Sequence, residues 1–346
     1  MAEMTMTLNK KHPLYQEDID HVLSIKGLET LKGKRVLITG ATGLIGVHLT
    51  DVLMRLGQVK VIAVGRNAEN AKKRLGEYFG HPDFSFIEQD VLMPFPDDLD
   101  VDIVVPLASS THPLAYSRFP VETILVNVKG AENALTLAKK NGATVLYLST
   151  VEIYGNSDRQ TPFTETDTGK LDLSTSRSCY TESKRVSEAL CQSYLSEYGV
   201  ASKIVRLPRV FGPTMLDSDT KASSQFIKKA ICGEDIVLKS KGEQFFSYIY
   251  VSDAVAAMLL VLIKGRKGEA YNISNEACNI HLKDFARICA EHSGKEVVFE
   301  LPPEEEAKGY SVANNAILDS GKLSALGFVP KYGITEAINR TISILK

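Results

Sequence analysis

The stretch "VLITGATGLIG", residues 36–46, decides how the chain folds. An apolar run with the character of a strand enters a turn with glycines at 40, 43 and 46, and leaves as an amphipathic helix. The first glycine permits the tight turn. The second lets the backbone approach a pyrophosphate. The third lets helix and strand pack closely, with the helix N-terminus facing the phosphates. A glycine triplet alone says little. The strand before it and the helix after it make a dinucleotide-binding turn, with Gly40, Thr42, Gly43, Leu44, Ile45 and Gly46 as candidate cofactor contacts. The bland alternative is a glycine-rich turn with no ligand.

Outward from this turn the chain alternates regularly. Strands are expected at 35–39, 59–65, 84–88, 101–107, 143–149 and 202–207, and helices near 44–57, 67–78, 119–141 and 179–199. Central strands such as "RVLIT" and "DIVVPL" are nearly continuous apolar runs, as in strands covered on both faces. This predicts an α/β fold, a doubly wound parallel sheet of the Rossmann type. Residues 34–208 and 246–275 form the expected dinucleotide-binding domain, with "SYIYVSDAVAAMLLVLIKG" returning to the main sheet. Residues 209–245 and 276–346 form a smaller C-terminal substrate-binding lobe. Residues 1–33 are expected as an extension of one or two short helices packed on the outside.

Composition excludes several classes. The chain has 346 residues, 44% hydrophobic and 24% charged, with a net charge of −2. No basic stripe suggests nucleic acid or an anionic membrane as a partner. The apolar run 254–263 is too short to span a bilayer, and the N-terminus lacks the apolar core of a signal peptide. Five cysteines without a CxxC pair or a His/Cys cluster fit reduced thiols in a cytoplasmic protein without a metal site.

Further cofactor contacts fall at strand ends. The second strand closes "VIAVGRN", so Gly65 stands where an acid often meets the ribose of NAD, and Arg66 follows. A guanidinium there can meet the 2′-phosphate of NADP, stack on adenine, or simply be a solvated surface group. Asp90 and Val91, after the third strand, suit an adenine edge, although an exposed Asp closing a strand is common. Leu107 and Ala108 close the fourth strand and complete the candidate cofactor set.

The chemistry lies in "YLSTVEIYG" (147–155) and "CYTESKR" (179–185). Tyr180 and Lys184 are four apart and share a helix face. An ammonium beside a phenol favours the phenolate. A phenolate can take the proton of a substrate hydroxyl while hydride leaves the same carbon for a nicotinamide. Thr150 can hold the substrate oxygen in line. YxxxK alone is a common coincidence; after the glycine turn and the Ser-Thr strand end it is specific. A non-catalytic dinucleotide sensor would have no chemical reason to keep the full set.

These residues, in this order, resemble the extended short-chain dehydrogenase/reductase superfamily, in its nucleotide-sugar epimerase/dehydratase branch, over about 34–340. "LASSTHPLAYSRFP" (107–120), "RSCYTESKRVSEALCQSY" (177–194) and "FGPTM" (211–215) are most similar to UDP-glucuronate decarboxylases. The resemblance implies Thr150, Tyr180 and Lys184 as catalytic residues, and transient oxidation of C4 in a nucleotide-linked hexose. It also implies NAD recycled in place, with NADP possible, and a homodimer through the helices near 119–141 and 179–199. Tyr116 either reaches the sugar or is a half-buried loop aromatic.

In similar 4,6-dehydratases an Asp occupies the place of Val151 and helps expel a hydroxide, which a hydrocarbon cannot do. Dehydration is thereby disfavoured. Glu152 points to chemistry at C5, which suits decarboxylation of a 4-keto uronate or C5 epimerisation; its alternative is a structural acceptor at the turn. Simple 4-epimerisation is the rival reaction, and a net reductase a lesser one. Two departures concern the substrate's anion. Phe246 stands where the similar stretch has an arginine that meets the diphosphate, and Arg209 stands where it has an asparagine. Arg209 and Arg177 are candidate partners for a phosphate or carboxylate; the alternative for Arg177 is a helix-start surface residue.

Overall fold

The structure is a computed structural model and describes residues 6–109, 111, 113–155, 161–300 and 315–346. A helix α1 (Pro13–Leu23) precedes the first strand β1 (Arg35–Thr39). Then follow α2 (Leu44–Leu56), β2 (Lys60–Gly65), α3 (Ala68–Leu75), β3 (Phe84–Glu88), β4 (Ile103–Pro106), α4 (Pro113–Arg118), α5 (Pro120–Asn141), β5 (Thr144–Thr150), α6 (Ser178–Tyr198) and β6 (Ser202–Leu207). The remainder comprises β7 (Arg209–Phe211), α7 (Ala222–Cys232), β8 (Ile236–Leu238), β9 (Phe245–Tyr250), α8 (Val251–Lys264), β10 (Ala270–Asn272), β11 (Asn279–His281), α9 (Leu282–Ser293), β12 (Val297–Phe299), β13 (Asn315–Ala316) and α10 (Ile334–Leu345).

Seven parallel strands form the main sheet in the order β10-β6-β5-β4-β1-β2-β3. The order reverses between β1 and β4, which places a crevice beyond their carboxyl ends. Alternation along β1 explains the two faces. Val36 and Ile38 pack with α1, α2 and α8. Leu37 packs on the opposite side with Ala131, Ala134 and Leu135 of α5 and Cys191 of α6. Both faces are covered, so each central strand is apolar throughout.

A second sheet is built on β9, which pairs with β7, β11 and β13. Residues 246–250 were expected to return to the main sheet; only α8 and β10 lie on that return path. Pro208 accounts for the departure of β7, because it interrupts the strand between Leu207 and Arg209 and offers no N–H to a ladder. β9 then pairs with β7 in parallel, Arg209 opposite Tyr248.

The N-terminal helix packs on the fold with one face buried and Glu17 and Asp20 exposed on the other. α1 packs against α2, α8 and α10, and Tyr15 and Asp18 are fully buried. Pro13 at its start and the His12 side chain, which accepts from Leu14 N, fix where the helix begins. Tyr15 donates to Asp51 Oδ2 at 2.5 Å. Asp18 accepts from Arg340 Nη2 of α10 at 2.7 Å and from the Tyr250 hydroxyl. Burial pushes the Asp18 carboxyl up from its ordinary range, while Tyr250 and Arg340 pull it back.

Candidate active site

The glycine turn is sterically determined at two positions. Gly40 has φ +63°, and a Cβ there would lie 2.8 Å from Ala108 N. A Cβ on Gly46 would lie 2.4 Å from Gly40 O. The turn therefore sits tight against the end of β4, where Thr39 Oγ1 accepts from Ala108 N at 3.1 Å. Gly43 is the N-cap of α2 and brings no capping side chain. The first-turn N–H groups of α2, which include Leu44 and Ile45, thus have no intrahelical acceptor and face the crevice.

A small cavity beside the turn is lined by Thr39, Val91, Ala108, Asn127, Gly130, Tyr147 and Lys184, among others. It brings the expected Val91, Ala108 and Lys184 together. Leu107 instead packs against the core. The bare helix N-terminus and the close-packed glycines fit the pyrophosphate of a dinucleotide.

Arg66 is 64% exposed and lies 3.4 Å from Glu122 and 4.0 Å from Asp90. Asp90 also accepts from Leu92 N at 3.0 Å, fixing the turn after β3. A 2′-phosphate placed at Arg66 would meet two carboxylates, which disfavours the NADP reading.

Sequence reasoning passed over Thr39, Tyr147 and Asn127. Asn127 is 3% exposed on α5. Its Nδ2 donates to Ser183 Oγ of α6 at 2.9 Å, and its Oδ1 has no partner among the described residues. A buried amide on the inner face of α5, alongside Thr123 and Asn133, was the signal available.

β5 delivers Thr150 to the site. Its Oγ1 accepts from Glu152 N at 3.3 Å and caps the 3₁₀ turn Val151–Tyr154. α6 carries Tyr180 and Lys184, both buried. Lys184 Nζ donates to Leu148 O at 2.8 Å and stands 5.2 Å from the Tyr147 ring centroid. Burial lowers its pKa to about 8.

Burial raises the Tyr180 pKa, and the charge of Glu152 raises it further; a hydrogen bond with Thr150 and the charge of Arg177 lower it. Arg177 thus adds a cation that the spacing of Tyr180 and Lys184 did not show, while Lys184 Nζ is bonded to a β5 carbonyl.

Tyr116 lies in α4, 4% exposed, rather than in a half-buried loop. Its ring stacks on Tyr180 with centroids 4.8 Å apart and planes 22° from parallel. Arg177 Cζ lies 4.7 Å from the Tyr116 centroid, and Arg177 Nη2 donates to Glu152 Oε2 at 2.7 Å. Glu152 is thus held by a guanidinium rather than by turn N–H groups. Arg209 Cζ stands 3.4 Å from the centroid of Phe246 on the neighbouring strand. Val151 is 4% exposed and packs in the apolar cluster that joins the turn to the second sheet.

The sequence profile of the NAD dependent epimerase/dehydratase family matches residues 36–274. The chain belongs to this family. Among curated members, UDP-glucuronic acid decarboxylase 1 of Xenopus tropicalis is 34% identical over 322 residues, covering 92% of this chain and 73% of that protein. UDP-glucuronic acid decarboxylase 6 of Arabidopsis thaliana is 38% identical over 241 residues, covering 70% and 69%. Among solved structures, a UDP-glucose 4-epimerase from Thermotoga maritima superposes with a TM-score of 0.76 at 24% identity, over 90% of this chain and 98% of that one. A dTDP-glucose 4,6-dehydratase from Streptomyces venezuelae gives 0.77 at 24% identity, over 90% and 96%. At that identity these structures speak for the epimerase/dehydratase fold. The expected doubly wound sheet is thereby borne out, as is the expected family.

Proposed function

We propose that the protein is an NAD-dependent enzyme that decarboxylates UDP-glucuronate through transient oxidation at C4. The observation that carries this reading is the joint placement of Thr150, Tyr180 and Glu152 at the end of β5, with Val151 buried between the hydroxyl and the carboxylate. The similarity to UDP-glucuronic acid decarboxylases supports the substrate.

NAD held in this site would supply a reversible hydride acceptor for C4. Gly40, Thr42, Gly43, Leu44, Ile45 and Gly46 would hold its pyrophosphate at the N-terminus of α2. Val91 and Ala108 line its pocket, and the carboxylates beside Arg66 favour NAD over NADP. Tyr180 takes the C4 hydroxyl proton, and Thr150 positions that oxygen. Lys184, fixed by Leu148 O, holds the cofactor side of the site. The 4-keto group is β to the C5 carboxylate, so CO₂ leaves without an acid catalyst. Buried Val151 offers no proton for a departing hydroxide, so dehydration does not compete. Glu152 manages the proton at C5.

The ion pair between Arg177 and Glu152 favours one second reading. A neutralised carboxylate is a weak base, and C4 epimerisation needs none. Incubating the purified protein with UDP-glucuronate decides between them: CO₂ and a UDP-pentose support decarboxylation. A UDP-uronate isomer, or turnover of UDP-glucose or UDP-galactose alone, supports epimerisation and sinks the leading reading.

The protein is further read as a cytoplasmic homodimer. Exposed Val121, Ile124 and Leu125 on α5 and Val186 on α6 support pairing through these helices. Light scattering that finds a monomer would remove this part.

A further inference from the structure

Arg209 belongs to the second sheet, yet it lies within reach of the charges of Glu152 and Arg177. Its guanidinium carbon lies 3.4 Å from the Phe246 ring centroid, a cation–π contact that leaves N–H groups free to hydrogen-bond. Arg209 Nη1 is buried and has no hydrogen-bond partner among the described residues. Arg177, across the site, shows the same feature: its Nη2 is bound to Glu152, and its Nη1 is buried and unpartnered. Buried guanidinium N–H groups without acceptors cost stability, so their retention calls for an acceptor supplied from outside the chain.

The charges agree. The groups felt by Arg209 are Tyr248 on β9, Glu152 on the turn after β5, and Arg177 before α6. Two guanidiniums therefore act on one carboxylate, which leaves a surplus positive charge around Glu152.

We propose that Arg209, seated on Phe246, acts with Arg177 as the receptor for an oxyanion carried by the substrate. The proposal rests on the nucleotide-sugar reading above. It assigns Arg209 as a binding and specificity residue. In a nucleoside-diphosphate uronate two groups have this chemistry, the diphosphate and the C5 carboxylate. Phe246 serves as a platform, and the pairing of β7 with β9 brings platform and guanidinium together.

The test is calorimetric binding to the full chain loaded with NAD. The probes are UDP, UDP-glucose and UDP-glucuronate, compared between wild type and Arg209→Met. Loss of affinity on the order of 10- to 100-fold is expected for UDP-glucuronate, as for a charge-assisted bond removed. An equal loss for all three probes identifies the diphosphate as the oxyanion. A loss confined to UDP-glucuronate identifies the carboxylate. Wild-type affinity for all three, in a variant that retains NAD and its melting temperature, overturns the proposal. Arg209→Lys keeps the charge but not the flat fork and is expected to bind with intermediate affinity. Wild-type affinity in that variant also counts against the receptor, including where Arg209→Met fails to fold. A wild type that binds the probes but releases no CO₂ refutes the decarboxylase reading and leaves the receptor standing. A wild type that binds none of the probes overturns both.

Discussion

Arg177 donates to Glu152 at 2.7 Å while lying 4.7 Å above the Tyr116 ring, and Tyr116 in turn stacks on Tyr180. Cation, carboxylate and phenol are thus one electrostatic unit. Arg177 favours the Tyr180 phenolate and Glu152 opposes it. Removing either should move the ionisation of Tyr180 in opposite directions. Arg177→Met leaves Glu152 uncompensated, so the limb of the pH–rate profile set by Tyr180 should move to higher pH. Glu152→Gln removes the opposing charge, so that limb should move lower, with kcat reduced if Glu152 handles the C5 proton. Shifts of the same sign in both variants would dissolve the unit.

Tyr180→Phe keeps the ring that stacks on Tyr116 but removes the proton acceptor. Turnover of UDP-glucuronate should fall by about 10²–10⁴-fold or more. NAD released on denaturation should match the wild type. Full activity would refute the role of the phenol.

Gly46→Ala places a methyl where Gly40 O lies 2.4 Å away. Overpacking of this kind costs about 1–3 kcal/mol, and here it displaces the pyrophosphate turn itself. Purified Gly46→Ala should carry little or no NAD and melt at a lower temperature. Normal NAD content would show that the turn yields more than its packing implies.

His48 is fully buried on α2, 5.5 Å from the Tyr15 ring, and neither ring nitrogen has a partner among the described residues. Burial pulls its pKa from 6.5 to about 3. The folded state therefore refuses a proton that the unfolded chain accepts below pH 6.5. Stability should be intact above that pH and fall towards pH 3 by about 1.4 kcal/mol per unit from this residue. In His48→Leu the urea midpoint should depend less on pH between 6 and 4. An unchanged slope would show that His48 is not the source.

Arg340→Met leaves Asp18 without its cation inside the protein. Asp18 is fully buried and Arg340 is 8% exposed. Breaking such a pair costs about 3–5 kcal/mol, so a large drop in the thermal midpoint by circular dichroism is expected. Asp18→Asn in the same background should recover part of it. A drop of a degree or two would mean that the carboxyl finds solvent or a proton instead.

The sequence was most legible where the constraint is local. The turn at Gly40–Gly46, the apolar strands and the helix bearing Tyr180 and Lys184 each depend on near neighbours, and each lies where periodicity put it. Contacts set by tertiary packing were not legible. Arg177 and Glu152 are 25 positions apart. Lys184 was read from its spacing to Tyr180, whereas its ammonium is held by a main-chain oxygen of β5, an acceptor that every residue carries. Arg209 and Phe246 both read in the sequence as departures at the substrate's anion, but that the guanidinium packs on the ring shows only once β7 and β9 pair. The burial of α1 was hidden for the same reason, since its polar residues resemble a solvated face until the partners of Asp18 are known.

The bond from α10 to α1 also orders events during synthesis. The Asp18 carboxylate leaves the ribosome 322 residues before its guanidinium partner. Until the last helix emerges, the nascent chain cannot bury Asp18 as an ion pair. Before then Asp18 can be held only protonated or in water, so this bond waits until Arg340 has been made. A chain lacking Arg340 would consequently hold α1 only through its contacts with α2 and α8, with Asp18 uncompensated beneath it.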